Sequence, residues 1–97
     1  MRARQLFRYR ARQGRLMIEM VIWRLPLATR ERPHALKYRL YCGEAGKCIV
    51  RYDNEAGKGD HRHYGEVREM AYRFESVDRL LQDFREDCAR LSGWRWK

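Results

Sequence analysis

The sequence predicts an α+β fold: an antiparallel sheet of about five strands with one C-terminal helix packed on one face. Three observations predict it. Short segments between residues 3 and 74 either alternate apolar with polar side chains or run apolar, the period-two signal of strands. Residues 77–91 carry apolar side chains at helical spacing. A meander of strands leaves one face bare, and a single amphipathic helix is what covers it.

The first strand is read over residues 3–12. From Phe7 the alternation is strict, with Phe7, Tyr9 and Ala11 on one side and Arg8, Arg10 and Arg12 on the other. Residues two apart on a strand stand about 7 Å apart, close to phosphate spacing along a nucleic-acid backbone. Arg and Gln are also good helix formers, so a helix is the alternative here. Gln13-Gly14 signals a turn. Leu16 to Leu25 is almost continuously apolar and reads as a central strand buried on much of both faces. Glu19 interrupts it and is placed to pair with an arginine of the preceding strand. Pro26 ends the run.

Ala35 to Cys42 alternates again, with Leu36, Tyr38, Leu40 and Cys42 facing one way and Lys37, Arg39 and Tyr41 the other. Gly43-Glu44-Ala45-Gly46 reads as a hairpin loop whose two glycines can take positive φ. Lys47 to Tyr52 returns as the fourth strand, residues 53–65 form a loop, and residues 67–74 make a fifth strand. Ser76 is a natural N-cap, and Asp78 suits the first helical turn. Val77, Leu80, Leu81, Phe84, Cys88 and Leu91 form one stripe, and Gly93 is a C-terminal stop. The tail, Trp94-Arg95-Trp96-Lys97, either stacks on bases or packs back against the helix end.

The 97 residues suit one domain, with a sheet over 1–74, a helix over 76–92 and a tail over 93–97. Hydrophobic content of 44% with 36% charged residues describes a soluble chain with a core. No apolar run reaches the roughly 20 residues a membrane helix needs, and no export signal is visible, so a cytoplasmic protein is expected. Cys42, Cys48 and Cys88 show no CxxC pair and read as reduced core thiols; a Cys42–Cys48 bridge would need an oxidising compartment. The net charge of +9 is uneven: residues 1–40 hold eleven Lys/Arg against two acids, and residues 41–97 hold eleven of each. A clustered basic face of this kind attracts nucleic acid or an acidic partner.

Chemistry concentrates in Tyr52-Asp53-Asn54-Glu55-Ala56-Gly57-Lys58-Gly59-Asp60-His61-Arg62-His63-Tyr64. This string resembles the TumE-like family, the toxin partners of a class of bacterial toxin–antitoxin pairs. So do Trp23-Arg24-Leu25-Pro26, Lys37-Tyr38-Arg39-Leu40, Tyr72-Arg73-Phe74 and the helix that follows, in that order and over nearly the whole chain. The arginine-rich opening departs from the more mixed first strand of the family. The resemblance implies a small cytoplasmic toxin whose partner is a helix-turn-helix antitoxin encoded alongside. It also implies action on RNA.

Metal-independent RNA cleavage needs a base, an acid and cations near the phosphate. His61 and His63 are the candidate base and acid, because histidine titrates near neutral pH and residues i and i+2 of an extended segment share a face. Lys58 and Arg62 are the candidate charge stabilisers. Asp60, or Asp53, is the carboxylate that would orient a histidine. Tyr52 and Tyr64 would stack on a base or supply a proton, and Arg8, Arg10 and Arg12 would hold the backbone of the nucleic acid. No cofactor is called for and no zinc spacing is present, although Asp53, Asp60, His61 and His63 offer a mixed N/O set for a divalent ion. The alternative function is a non-catalytic module that binds nucleic acid or a protein partner through the arginine face. His34, beside Pro33, reads as a loop histidine. An exposed edge strand in so small a sheet leaves room for a homodimer.

Overall fold

The computed structural model describes residues 2–55 and 59–96. It contains β1 (Arg4–Gln13), β2 (Leu16–Arg24), β3 (Leu36–Glu44), β4 (Lys47–Asp53), β5 (His61–Tyr64), β6 (Arg68–Ala71) and α1 (Val77–Ser92). The strands lie in chain order in one antiparallel sheet, a plain meander. The α+β architecture is therefore the one expected, with six strands in place of about five. The extra strand is β5, which the sequence reading placed within a loop over 53–65. Its four residues, His61-Arg62-His63-Tyr64, carry no aliphatic side chain to announce a strand. Pairing with β4 on one side and β6 on the other makes it one.

α1 lies across β3 and β4. Its stripe fits that seat: Leu80, Phe84 and Cys88 are fully buried. They meet Ile18, Met20 and Ile22 of β2, Leu36, Tyr38, Leu40 and Cys42 of β3, and Val50 and Tyr52 of β4 in one core. Tyr52 stands edge-on to Phe84 and Tyr72, with ring centroids 5.8 and 5.0 Å away. Burying a Leu or Phe of this kind contributes about 1.5–3 kcal/mol. Both helix ends are capped as the sequence foretells. The Ser76 hydroxyl accepts from the Arg79 N–H at 3.0 Å. Gly93, at φ 78°, donates its N–H to the Ala89 carbonyl at 3.1 Å. Leu91, at the end of the stripe, is exposed. No helix among the described residues is long and apolar enough to cross a membrane.

Two expectations are corrected. β2 is buried on one face only: Ile18, Met20 and Ile22 are covered, while Met17, Glu19, Val21 and Trp23 are half-buried on the side that no helix reaches. Gly43 is not in the hairpin loop but within β3, at a bulge where the β3–β4 register shifts. A side chain there would overlap the Tyr41 phenol and stand 2.7 Å from the Lys47 carbonyl, so close approach and not turning is what requires glycine. The turn itself is Ala45-Gly46, both left-handed at φ 50° and 81°, the two-residue geometry that matches the twist of a hairpin.

The tail packs back. Trp94 is 3% exposed in the core. The indole N–H of Trp96 donates to the Arg85 carbonyl at 3.0 Å. Gln13 and Arg95 exchange two hydrogen bonds, at 2.6 and 3.0 Å, which tie the end of the chain to the end of β1. Lys97 lies outside the described residues. Cys42, Cys48 and Cys88 are free and buried.

Ala45 holds a left-handed conformation that costs an ordinary residue about 1 kcal/mol. Ala45→Gly should therefore stabilise the chain by a few tenths to about 1 kcal/mol, because Gly adopts this geometry without strain. The check is the midpoint of chemical denaturation. A midpoint that falls would show that the turn relaxes to another form.

Candidate functional site

Antiparallel pairing carries the alternation of each strand across the sheet, so residues directly opposite share a face. Two rows of partners cross the face turned away from α1. One runs Arg10, Glu19, Tyr41, Arg51, His63, Glu69. The other runs Arg8, Val21, Arg39, Asp53, His61, Ala71. Arg12, opposite Met17, continues the cationic edge. The arginine stripe of the first strand and the histidines of the fifth thus lie on the same rows. Strands stand about 4.8 Å apart, which puts β1 roughly 19 Å from β5. Arg39 and Arg51 occupy the interval.

His61 and His63 sit side by side, with ring centroids 4.8 Å apart. Asp53 Oδ1 lies 3.0 Å from His61 Nε2, and the Gly59 carbonyl lies 3.0 Å from His61 Nδ1. Both ring nitrogens of His61 therefore face acceptors. Arg51 bridges the pair: its Nε donates to Asp53 Oδ2 at 2.7 Å, and its Nη2 to His63 Nε2 at 3.0 Å. The Glu69 carboxylate closes the far side, 3.4 Å from His63 Nε2 and 3.9 Å from His61 Nε2. Asp53 and His61 are buried, and His63 and Arg51 half-buried. Burial, and the charges of Arg51 and His61, hold the His63 pKa below its ordinary value against the pull of Asp53 and Glu69. The group lines a hollow of about 360 Å³ together with Arg39 and Glu55. Two imidazoles, three carboxylates and two guanidiniums on one open face can exchange protons with a bound substrate, and the guanidiniums can hold an anionic one.

The structure brings His61, His63, Arg8, Arg10 and Arg12 onto that face. It turns Arg62, Tyr64 and Tyr52 to the other, because they fall on the opposite phase of the same alternation. Tyr52 is fully buried and donates to Asp87 Oδ2 at 2.5 Å, so it cannot stack on a base. Tyr64 donates to the same carboxylate oxygen at 2.7 Å. Arg62 lies over the rings of Tyr52, Tyr64 and Tyr72, 5.5–5.9 Å from their centroids, and donates to the Tyr52 hydroxyl. Its buried Nε has no hydrogen-bond partner among the described residues. Lys58 lies outside the described residues.

Asp60 does not reach His61 or His63 through any hydrogen bond described; it is held elsewhere. It accepts from Tyr38 Oη at 2.6 Å and from Asn54 Nδ2 at 3.3 Å. His34 Nε2 donates to both its oxygens, at 3.0 and 3.1 Å. The Leu36 N–H donates to His34 Nδ1, which leaves the His34 proton on Nε2. His34 is thus a loop histidine, as its sequence suggests, and its task is to clamp Asp60. Of the two carboxylates read as able to orient a histidine, Asp53 and not Asp60 stands beside His61. Sequence reasoning missed Arg39, Arg51 and Glu69. Alternation held the signal: Arg51 and Asp53 flank the core residue Tyr52, and Glu69 precedes Met70 on the opposite phase. Of the four residues read as a possible metal set, Asp53, His61 and His63 have ligand atoms within 4.8 Å of one another.

Removal of the Asp60 carboxylate leaves the Tyr38 hydroxyl, the Asn54 amide and His34 short of a partner. Asp60→Ala should cost about 1–3 kcal/mol of stability. His34→Ala should share much of that cost, so the two changes should be less than additive in a double-mutant cycle. Full additivity would disprove the clamp.

A family model described as Toxin TumE matches residues 2–92, nearly the whole chain. No curated protein and no solved structure matches. The match spans every element from β1 to α1, and the chain belongs to the Toxin TumE family.

Proposed function

We propose that this toxin cleaves RNA by metal-independent acid–base chemistry on the open face of its sheet. The observation that carries this reading is the His61–His63 pair, set beside Arg51 and Arg39 at the end of the arginine rows. His63, whose Nε2 accepts from Arg51, is the base. It takes the 2′-hydroxyl proton as O2′ attacks phosphorus. His61, its Nδ1 held by the Gly59 carbonyl, turns its Nε2 proton from Asp53 to the departing O5′ as the P–O5′ bond breaks. The products are a 2′,3′-cyclic phosphate and a 5′-hydroxyl. Arg51 stabilises the charge that builds on the non-bridging oxygens. Arg8, Arg10 and Arg12 hold the backbone some nucleotides away, with Arg39 between.

Family membership implies an antitoxin partner. A helix-turn-helix antitoxin encoded alongside is the kind expected, and an acidic segment of it laid over the open face would block both rows at once. Among the described residues the outer edge of β1, ten residues long, pairs with no other strand, which offers a second copy of the chain a place to add.

The double variant His61→Ala/His63→Ala should lose cleavage of a labelled RNA pool while remaining folded; one acid or base alone typically accounts for about 10²–10⁴-fold in rate. Cleavage by the wild type should persist in EDTA and leave cyclic phosphate ends. Undiminished cleavage by the double variant would end the catalytic reading and leave the face as a binding surface.

Replacement of Arg8, Arg10 and Arg12 by Gln should weaken RNA binding. It should also reduce the slope of log affinity against log salt by about two, at roughly 0.7 per phosphate contact on a single strand. An unchanged slope would remove β1 from the interface.

A further inference from the structure

We propose that Asp53, His61, His63 and Glu69 form a binding site for one divalent transition-metal ion of the zinc class. One ligand atom each of Asp53, His61 and His63 lies within 4.8 Å of the others, and a Glu69 oxygen from the next strand stands beside both rings. His61 Nε2 lies 3.0 Å from Asp53 Oδ1 and 3.9 Å from Glu69 Oε1. His63 Nε2 lies 3.4 Å from Glu69 Oε1 and 3.9 Å from Asp53 Oδ2. A tetrahedral ion with bonds of about 2.0–2.1 Å has ligand atoms about 3.3–3.4 Å apart, a value these distances bracket. Small rotations of side chains already in place would complete the shell.

A second, independent feature points the same way. Nδ1 of His61 meets the Gly59 carbonyl at 3.0 Å. A backbone carbonyl on one ring nitrogen fixes the tautomer and aims the other nitrogen's lone pair, the arrangement typical of metal-binding histidine. The ring is also held by burial: the side chains of His61 and Asp53 are 6% and 7% exposed, and that of His63 is 14% exposed. Glu69, at 37%, is the outermost ligand. Two imidazoles with two carboxylates suit zinc, cobalt or nickel better than calcium or magnesium, which favour all-oxygen sites. Asp60 stands outside the set because His34, Tyr38 and Asn54 hold its carboxylate.

The ion would compete with the Arg51–His63 hydrogen bond, and Arg51, 30% exposed, has room to withdraw. One consequence rests on the acid–base reading above. With both Nε2 lone pairs on the metal, neither ring can take up or release a proton there, so zinc would inhibit RNA cleavage. A second consequence does not. The ion joins β4, β5 and β6, the last two only four residues long, and stabilises the folded chain by mass action.

The test titrates the full, EDTA-stripped chain with zinc sulfate alone, followed by calorimetry and by thermal unfolding. Cobalt replaces zinc for absorption spectra. The expected result is one ion per chain, a Tm that rises with free zinc, and a tetrahedral cobalt spectrum. Affinity should fall at least about tenfold in Glu69→Gln and further in His63→Ala, with both variants checked for folding by circular dichroism. No uptake by the wild type, or uptake unchanged in both variants, overturns the site. RNA assays run in parallel keep the two proposals apart. Zinc uptake without RNA cleavage in any state overturns the acid–base reading and supports the metal site. Cleavage without zinc uptake does the reverse. Cleavage that rises with zinc overturns the inhibitory consequence.

Discussion

The seat of α1 on β3 and β4 decides where the remaining side chains go. Leu80, Phe84 and Cys88 close over one face of the sheet. The interface is not wholly apolar. Asp87, on the same helix, is buried and accepts hydrogen bonds from Tyr52, Tyr64 and Arg90. Burial alone would raise its pKa; the three donors outweigh that and leave it below its ordinary value. The phenols of Tyr52 and Tyr72 are pushed up by burial and by the carboxylates they donate to, Asp87 and Asp83. Arg62 lies against these rings and supplies a cation close to the buried carboxylate. The network fixes the helix against β4 and β5, the strands that carry the histidine cluster on their reverse side.

With one helix and one sheet, no further helix or strand among the described residues covers the second face. Arg8, Arg10, Arg39 and Arg51 take that phase, and the meander lines them up in rows. This is why a chain with a net charge of +9 carries arginines from β1 through β3 to β4 on one surface. The exposed Arg10–Glu19 pair, at 3.6 Å, adds little stability in solvent. The Asp53–Arg51–His63 contacts differ in kind, since they are partly shielded and share hydrogen bonds. The fold sets their geometry, the preorganisation that the proposed proton transfer would use.

The approach to β5 is held separately. Asn54 is fully buried and extends the β3–β4 pairing by one step: it accepts from the Tyr38 N–H and donates to the Leu36 carbonyl. Arg32 donates to the Asn54 carbonyl from the loop before β3. Asp60 with His34 and Tyr38 fixes the other end of the connection. His61 is the next residue, so these bonds position the ring that faces Asp53. A strand of four residues gains in this way an anchor that its own pairing does not provide.

Much of this was legible in the chain. The stripe from Val77 to Cys88 and its Ser76 and Gly93 caps gave the helix, and alternation gave the strands and the shared phase of Arg8, Arg10 and Arg12. His61 and His63, two apart, were bound to share a face. The sequence alone determined these features because each depends on neighbours within a few residues. It did not determine that His61-Arg62-His63-Tyr64 is a strand, since no apolar period marks it. Nor could it pair Asp60 with His34, 26 residues away, or set Arg51 and Glu69 beside His63. Those contacts run between strands or between the loops that lead into them, and only the folded sheet, its register fixed by which face α1 covers, decided them.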